Sequence, residues 1–146
     1  MEEVLIREGT ESDAPEIARI EKLSFPTPWS EEMIVSEMKE SLSSFFVASA
    51  QDKIIGYYGF LHILDELHIL NVAVDPAFRQ KGVGAKLIAH LIEKARALSA
   101  CALTLEVRES NLPAIRLYEK FGFVLSGVRP HYYTDKENAL IYWLEL

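Results

Sequence analysis

The sequence predicts an α/β domain with a mixed β-sheet covered by helices on both faces, and it assigns the whole of 1–146 to one domain. Three observations predict this. β-rich apolar runs recur along the chain, helical periodicity interrupts them four times, and no linker, repeat or low-complexity stretch divides the sequence. Strands standing before and after interleaved helices imply a sheet of mixed direction, buried on both sides. A chain of 146 residues with 49% hydrophobic residues can fill one core.

The elements follow in order. Residues 4–8 read as a short strand. Ser12-Asp13 can cap a helix that carries Ile17, Ile20 and Leu23 on one face. The break Phe25-Pro26-Thr27-Pro28-Trp29 ends it, and Ser30 opens a second helix with Glu31 and Glu32 at the positive end of its dipole. Residues 45–50 and 54–64 predict a hairpin about Gln51-Asp52-Lys53. A strand at 67–74 feeds a glycine turn, and a helix over 85–98 begins at once. A strand at 101–108 leads to Asn111, a good N-cap, with Pro113 tolerated in the first helical turn. Ile115, Tyr118 and Phe121 follow at helical spacing, and Gly122 is placed to stop the helix. Strands at 123–129 and 139–146 complete the chain.

The turn between the fourth strand and the third helix carries the most chemical information. It reads Arg79-Gln80-Lys81-Gly82-Val83-Gly84, followed by Ala85. The first N–H groups of a helix lack internal partners and carry the positive end of the dipole, so strand–turn–helix is a seat for phosphate. Glycine lets the backbone come close, and successive N–H groups can form an anion nest. A Walker loop needs Lys-Ser/Thr after its second glycine, which is missing; a dinucleotide fingerprint needs glycine where Leu87 stands. The remaining pattern, R-x-x-G-x-G, resembles the coenzyme A loop of the GNAT acyltransferases. An ordinary glycine turn with solvated basic residues is the alternative for these six residues alone.

A second segment bears on that choice. Residues 101–123 contain a run similar to the GNAT signature L-E-V-R-x-S-N-x-x-A-x-x-L-Y-x-x-x-G-F at nearly every position. Two signatures in the right order are far more specific than one. The resemblance implies the GNAT fold, a mixed and mostly antiparallel sheet flanked by about four helices. It also implies acetyl-coenzyme A as cosubstrate, with no metal. Val72, Ala73 and Val74 would then pair with the pantetheine amides as an added strand would. Arg79, Gln80, Lys81, Gly82, Val83, Gly84 and Ala85 would surround the pyrophosphate. Asn111 corresponds to a family residue that contacts the cofactor, although N-capping explains it equally well. The oxyanion donor is expected to be a backbone N–H near Val74.

The resemblance also assigns the chemistry. Transfer to an amine needs a neutral nucleophile, a polarised thioester carbonyl and a proton for the thiolate. Glu106 corresponds to the family's proton acceptor. By alternation alone, Thr104, Glu106 and Arg108 could instead form a solvated polar face. Tyr118 corresponds to the tyrosine that protonates the thiolate, and spacing alone leaves it open as a core tyrosine. A phenol near ~10 protonating a thiolate near ~8.5 is uphill by only about 2 kcal/mol, which partial transfer or a local shift could cover.

Two more segments resemble the RimI-type N-terminal acetyltransferases within this family. Phe25-Pro26-Thr27-Pro28-Trp29-Ser30 is similar to their F-P-x-x-W-S loop, and Arg129-Pro130-His131-Tyr132-Tyr133 to their R-x-Y-Y segment. Together the resemblances run over roughly residues 10–143. They imply that Phe25, Trp29, Arg129, Tyr132 and Tyr133 receive a peptide N-terminus; half-buried loop aromatics are the alternative reading of the tyrosines. The Thr27-Pro28 pair is an extra step relative to the shorter F-P-W-S form and bears on the first-residue pocket. The implied target is the N-terminal alanine of the small-subunit ribosomal protein numbered eighteen. An α-amine near ~7.8 is about 15% neutral at pH 7, whereas a lysine near ~10.4 is neutral in about one molecule in 2,500. A single glutamate suits the easier task.

Composition narrows the partners. A net charge of −7 disfavours direct nucleic-acid binding and suits a basic protein tail. No apolar run approaches the roughly 20 residues of a membrane span, and the start, Met-Glu-Glu-Val, is acidic where a signal peptide would be basic. The lone Cys101 excludes an internal disulfide, suits a reducing cytoplasm, and is expected to be a buried small hydrophobe. The four histidines show no metal-like clustering. A cytoplasmic monomer or weak dimer is expected. The alternatives are a GNAT enzyme acting on lysine or a small amine, and a non-catalytic acyl-coenzyme A-binding partner protein.

Overall fold

The computed structural model describes residues 3–146; Met1 and Glu2, the start of the acidic N-terminal segment, lie outside the described residues. The elements are β1 (Leu5–Glu8), α1 (Ala14–Ser24), α2 (Glu31–Met38), β2 (Ser43–Ala50), β3 (Lys53–Ile63), β4 (Glu66–Val74), α3 (Val83–Ala97), β5 (Ala102–Arg108), α4 (Leu112–Lys120), β6 (Val124–Arg129) and β7 (Ala139–Glu145). The strands form one seven-stranded sheet in the order β1-β2-β3-β4-β5-β7-β6. Every neighbouring pair is antiparallel except β4 and β5. The sheet is therefore mixed and mostly antiparallel, as expected.

Strand alternation sends side chains to two cores. Phe46, Tyr58 and Phe60 face α3 and pack with its Leu87, Ile88 and Leu91. Phe45, Val47 and Tyr57 face the other way, onto Ile17 and Ile20 of α1 and Ile34 of α2. Fully burying each of these aliphatic side chains is worth about 1.5–3 kcal/mol, so both helix layers are held chiefly by their apolar stripes. The β2–β3 turn is made by Gln51 and Asp52, both at positive φ (54° and 62°), as a two-residue primed turn requires. Lys53 already belongs to β3.

Two expectations fail. Leu23 is 53% exposed and takes no part in the core. The buried stripe of α1 runs Ala14, Ile17, Ile20 and Glu21, and one further i+3 step carries Leu23 past its edge. Cys101 is exposed rather than buried. It lies just ahead of β5, held by its backbone: its N–H donates to Asp65 O at 2.6 Å and its carbonyl accepts from Leu146 N–H at 2.9 Å. Its side chain sits beside Asp65, whose hydrogen bond raises the thiol pKa.

One feature of the sheet creates the site. β4 and β5 pair in parallel only from Glu66–His68 against Ala102–Thr104. Beyond that the two strands part. β4 stays on β3 through Val72, Ala73 and Val74, while β5 stays on β7 through Arg108. The register slips between Gly59 and Phe60, leaving Leu70 as the extra residue of a bulge in β4, where the strands begin to diverge.

Candidate active site

The parted strands open a cleft of about 630 Å³. Val72, Ala73 and Val74 line one side, where the β5-facing edge of β4 has no strand partner. Arg79, Gln80 and Gly84 lie at the end where β4 runs into α3, and Asn111 and Tyr118 on the opposite wall. Gly82 has φ +82°, a conformation that favours glycine, and a Cβ there would meet nothing within 4 Å. The first helical bond of α3 is Lys86 N–H to Gly82 O, so the amides of Val83, Gly84 and Ala85 precede the intrahelical ladder. An alanine at 84 would place its Cβ 3.1 Å from Leu117 Cδ2; glycine lets α3 lie close to α4. Free amides, a positive-φ glycine and an open strand edge fit a pantetheine–pyrophosphate chain.

Side chains of that loop are disposed unevenly. Arg79 folds back, donating from Nε to Val74 O (3.1 Å) and from Nη2 to Ser24 Oγ (3.1 Å). The Lys81 ammonium stands 5.7 Å from the Phe78 ring centroid, outside the cleft lining. Val83 points into the core and can reach a ligand only through its backbone. Asn111 caps α4, its side chain accepting from Ala114 N–H at 3.3 Å.

A second cavity, about 330 Å³, adjoins the first across Phe25, Val72, Arg108, Asn111 and Tyr118. Phe25 and Trp29 come to it from the α1–α2 loop, Tyr132 and Tyr133 from the β6–β7 loop, and Glu106 from the middle of β5. The strand explains Glu106: Leu105 and Val107 are buried, and the opposite alternation turns the carboxylate into the cavity with its side chain 34% exposed. Arg129 stays outside the cavity lining but brings Nε to 3.7 Å from Glu106 Oε2, a loose and solvated pair. Tyr132 and Tyr133 meet edge to face with centroids 5.2 Å apart. Interaction with Glu106 raises the Tyr132 pKa, and burial pushes Tyr133 up to about 12.

Tyr118 is buried where the two cavities meet, and burial drives its pKa well above the ordinary phenol value. The local shift therefore widens the gap to a thiolate, and only partial proton transfer can close it.

Three groups at the site escape sequence reasoning. Arg108 is 8% exposed and pairs with Asp135 (2.8 Å) and Glu137 (2.9 Å), reaches Thr27 Oγ1 (3.2 Å) and stacks 4.0 Å from the Tyr133 ring centroid. It thereby ties the α1–α2 and β6–β7 loops to β5, and the Thr27-Pro28 step supplies one of its partners. Asn71 lines the second cavity. Glu21, at the end of the α1 stripe, accepts from Trp29 N–H (2.9 Å), Asn71 Nδ2 (3.0 Å) and the Tyr57 hydroxyl. The available signal was a charged residue on an otherwise apolar helix face.

A strand edge and helix N-terminus for an acyl-coenzyme A chain, beside a pocket containing a carboxylate, define an acyl-coenzyme A N-acyltransferase. The profile of the Acetyltransferase (GNAT) family matches residues 14–123, and the chain belongs to this family. It is 36% identical over 133 residues to the [ribosomal protein bS18]-alanine N-acetyltransferase of Escherichia coli K12, covering 89% of each chain. The solved structure of the Escherichia coli ribosomal-protein-alanine N-acetyltransferase superposes with a TM-score of 0.91 at 34% identity, covering 98% of this chain and 94% of the other. That of Ard1 from Thermoplasma volcanium gives 0.93 at 32%, covering 98% and 97%. The fold is the GNAT fold, and the chain is an acetyl-transferring enzyme of the RimI and Ard1 kind that uses an acyl-coenzyme A donor.

Proposed function

We propose that this chain, acting as one acetyltransferase domain, transfers acetyl from acetyl-coenzyme A to the α-amine of a protein N-terminus, with the N-terminal alanine of ribosomal protein bS18 as target. One observation carries the reading: a pocket walled by Phe25, Trp29, Tyr132 and Tyr133 opens onto Glu106 and joins the acyl-donor cleft at Tyr118. The name of the Escherichia coli relative supports the same substrate.

Acetyl-coenzyme A supplies the activated carbonyl and a thiolate leaving group. The chain supplies the rest. The free edge of Val72–Val74 aligns the donor, and the amides of residues 82–85 with the α3 dipole hold its phosphates. A β4 N–H near Val74 stabilises the developing oxyanion. Glu106 takes a proton from the amine, directly or through water, and Tyr118 keeps a proton on its hydroxyl for the leaving group. Arg129, Tyr132 and Tyr133 close over the peptide backbone. The net charge of −7 favours a basic protein as partner.

The test is mass spectrometry of an Ala-started peptide containing an internal lysine, after incubation with enzyme and acetyl-coenzyme A, beside an N-terminally blocked copy. Acetyl on the α-amine alone, with the blocked copy untouched, is the expected result. Lysine modification in both copies would move the reading to side-chain acetylation. Tight coenzyme A binding without any transfer would point to a non-catalytic partner protein.

A further inference from the structure

Four charged side chains are buried among the described residues: Asp13, Glu21, Asp75 and Arg108. Three have an opposite charge in contact. Asp13 pairs with Arg7 at 2.8 Å, Asp75 with Arg19 at 2.9 Å, and Arg108 with Asp135 and Glu137. Glu21 is the exception. At 1% exposure it has no ion-pair partner among the described residues, and its hydrogen-bond partners are neutral. A buried carboxylate without a cation is expensive, and chains ordinarily remove or neutralise such a group.

Against this cost, the hydrogen bonds around Glu21 favour its ionised form. Trp29 N–H donates to Oε1 and Asn71 Nδ2 donates to Oε2. Both carboxyl oxygens are thus aimed at donors, and the Tyr57 hydroxyl adds a third. An ionised carboxylate offers about four acceptor sites, so one remains. Glu21 also lines the second cavity, together with Glu106, Trp29 and the two loop tyrosines. Glu106 has a guanidinium 3.7 Å away in a loose, solvated pair; Glu21 has none among the described residues.

We infer that Glu21 is the charge-recognition residue for the incoming peptide: its uncompensated carboxylate at the wall of the second cavity draws in the α-ammonium group and supplies its counter-charge before the amine loses a proton. The inference rests on reading that cavity as the seat of a protein N-terminus. It assigns separate tasks to two carboxylates. Glu21 recognises the charged amine, and Glu106 takes the proton. Trp29 N–H, bound to Glu21, couples this recognition to the position of the substrate loop.

The experiment compares two peptides as ligands for the enzyme loaded with coenzyme A. One begins with alanine; the other replaces that residue with propionyl, so that a hydrogen stands where the ammonium was. Wild-type enzyme should bind the ammonium peptide at least roughly tenfold more tightly, as a charge-assisted contact implies. In Glu21→Gln, which keeps the side chain's size and an acceptor for Trp29, that preference should collapse towards unity. Affinity for the propionyl peptide and for acetyl-coenzyme A should stay near wild type. A purely structural role would weaken both peptides alike and would overturn the inference, as would an unchanged preference in the variant. Should Glu21→Gln not fold, Glu21→Asp, which draws the carboxylate back by one methylene, takes its place and should lower the preference; an unchanged preference, or equal binding of the two peptides by wild-type enzyme, sinks the idea. Wild-type acetylation of the α-amine checks the underlying reading separately. If transfer occurs there but the ammonium preference is absent, only the role of Glu21 falls.

Discussion

Tyr118 and Glu106 occupy opposite extremes of environment within a few side chains of each other. Tyr118 is 6% exposed and keeps its proton far into the alkaline range; Glu106 faces a cavity open to solvent. In the proposed mechanism the group that holds a proton is thus dry, and the group that takes one is wet. Replacing either one singly tests the division. Tyr118→Phe and Glu106→Gln should each lower turnover by roughly 10²-fold or more while acetyl-coenzyme A still binds, read by steady-state kinetics and calorimetric titration. If neither variant slows turnover, the assignment of the pair is wrong. The pH profile offers an independent check. The rate should rise as the α-amine deprotonates near ~7.8, with no fall from loss of the Tyr118 proton below the usual phenol value of ~10. A descending limb near neutrality would remove Tyr118 as the acid.

Elements matter through what they bring into register. β5 carries Glu106 in its middle and Arg108 at its end, and Arg108 gathers Thr27 from one loop and Tyr133, Asp135 and Glu137 from the other. Arg108→Leu leaves the core strand intact but releases both loops. The expected result is a peptide KM raised about tenfold with little change in acetyl-coenzyme A affinity, since several charge-assisted bonds to the loops are lost together. Equal loss of both affinities would instead indicate a general collapse of β5. At the start of α3, Gly82→Ala separates conformation from contact. Its Cβ would meet no protein atom, so the left-handed backbone alone should cost about 1 kcal/mol of stability, read from denaturant unfolding. Any excess loss of coenzyme A affinity then measures close approach of the ligand. Such local features were legible in the sequence: glycines at a strand–helix turn, Asn111 as a cap, and a proline break before Trp29 each act over a few residues. Leu23 and Glu21 were not, because which face of α1 is buried depends on Tyr57 and Asn71, 36 and 50 residues from Glu21 in the chain. Arg108 read as one face of an alternating strand for the same reason, since its partners lie 27 and 29 residues on and on the far loop. Cys101 was misplaced because the exact start of β5 decides whether it enters the core, and strand ends are set by pairing rather than by composition.

On the scale of the whole molecule, the buried carboxylates pull stability in opposite directions as pH changes. Asp13 is held below its usual 3.8 by its hydrogen bond from Arg7; Asp75 is also lowered, burial being outweighed by the Ala77 N–H and Arg19. In both cases the unfolded chain takes up protons first. Their contribution is complete above 3.8 and is lost as pH falls through the lower folded values. Glu21 runs the other way. Burial raises its carboxyl above 4.5, so the folded protein takes up the proton first, and stability grows as pH falls from neutral towards that value. Below 4.5 both states are protonated and the gain stops. The melting temperature should therefore climb on mild acidification and drop once the aspartates titrate. Falling net repulsion in a chain of charge −7 reinforces the first limb. Variants tell the contributions apart. Glu21→Gln should flatten the rise on the acid side of neutrality and leave the low-pH drop in place. Asp75→Asn should reduce stability at neutral pH and make the low-pH drop shallower. Calorimetric melting from about pH 3 to about pH 8 reads both limbs. A rise that persists undiminished in Glu21→Gln would mean that surface repulsion alone produces it, and that the isolated carboxylate beneath the α1–α2 loop adds nothing to the acid response.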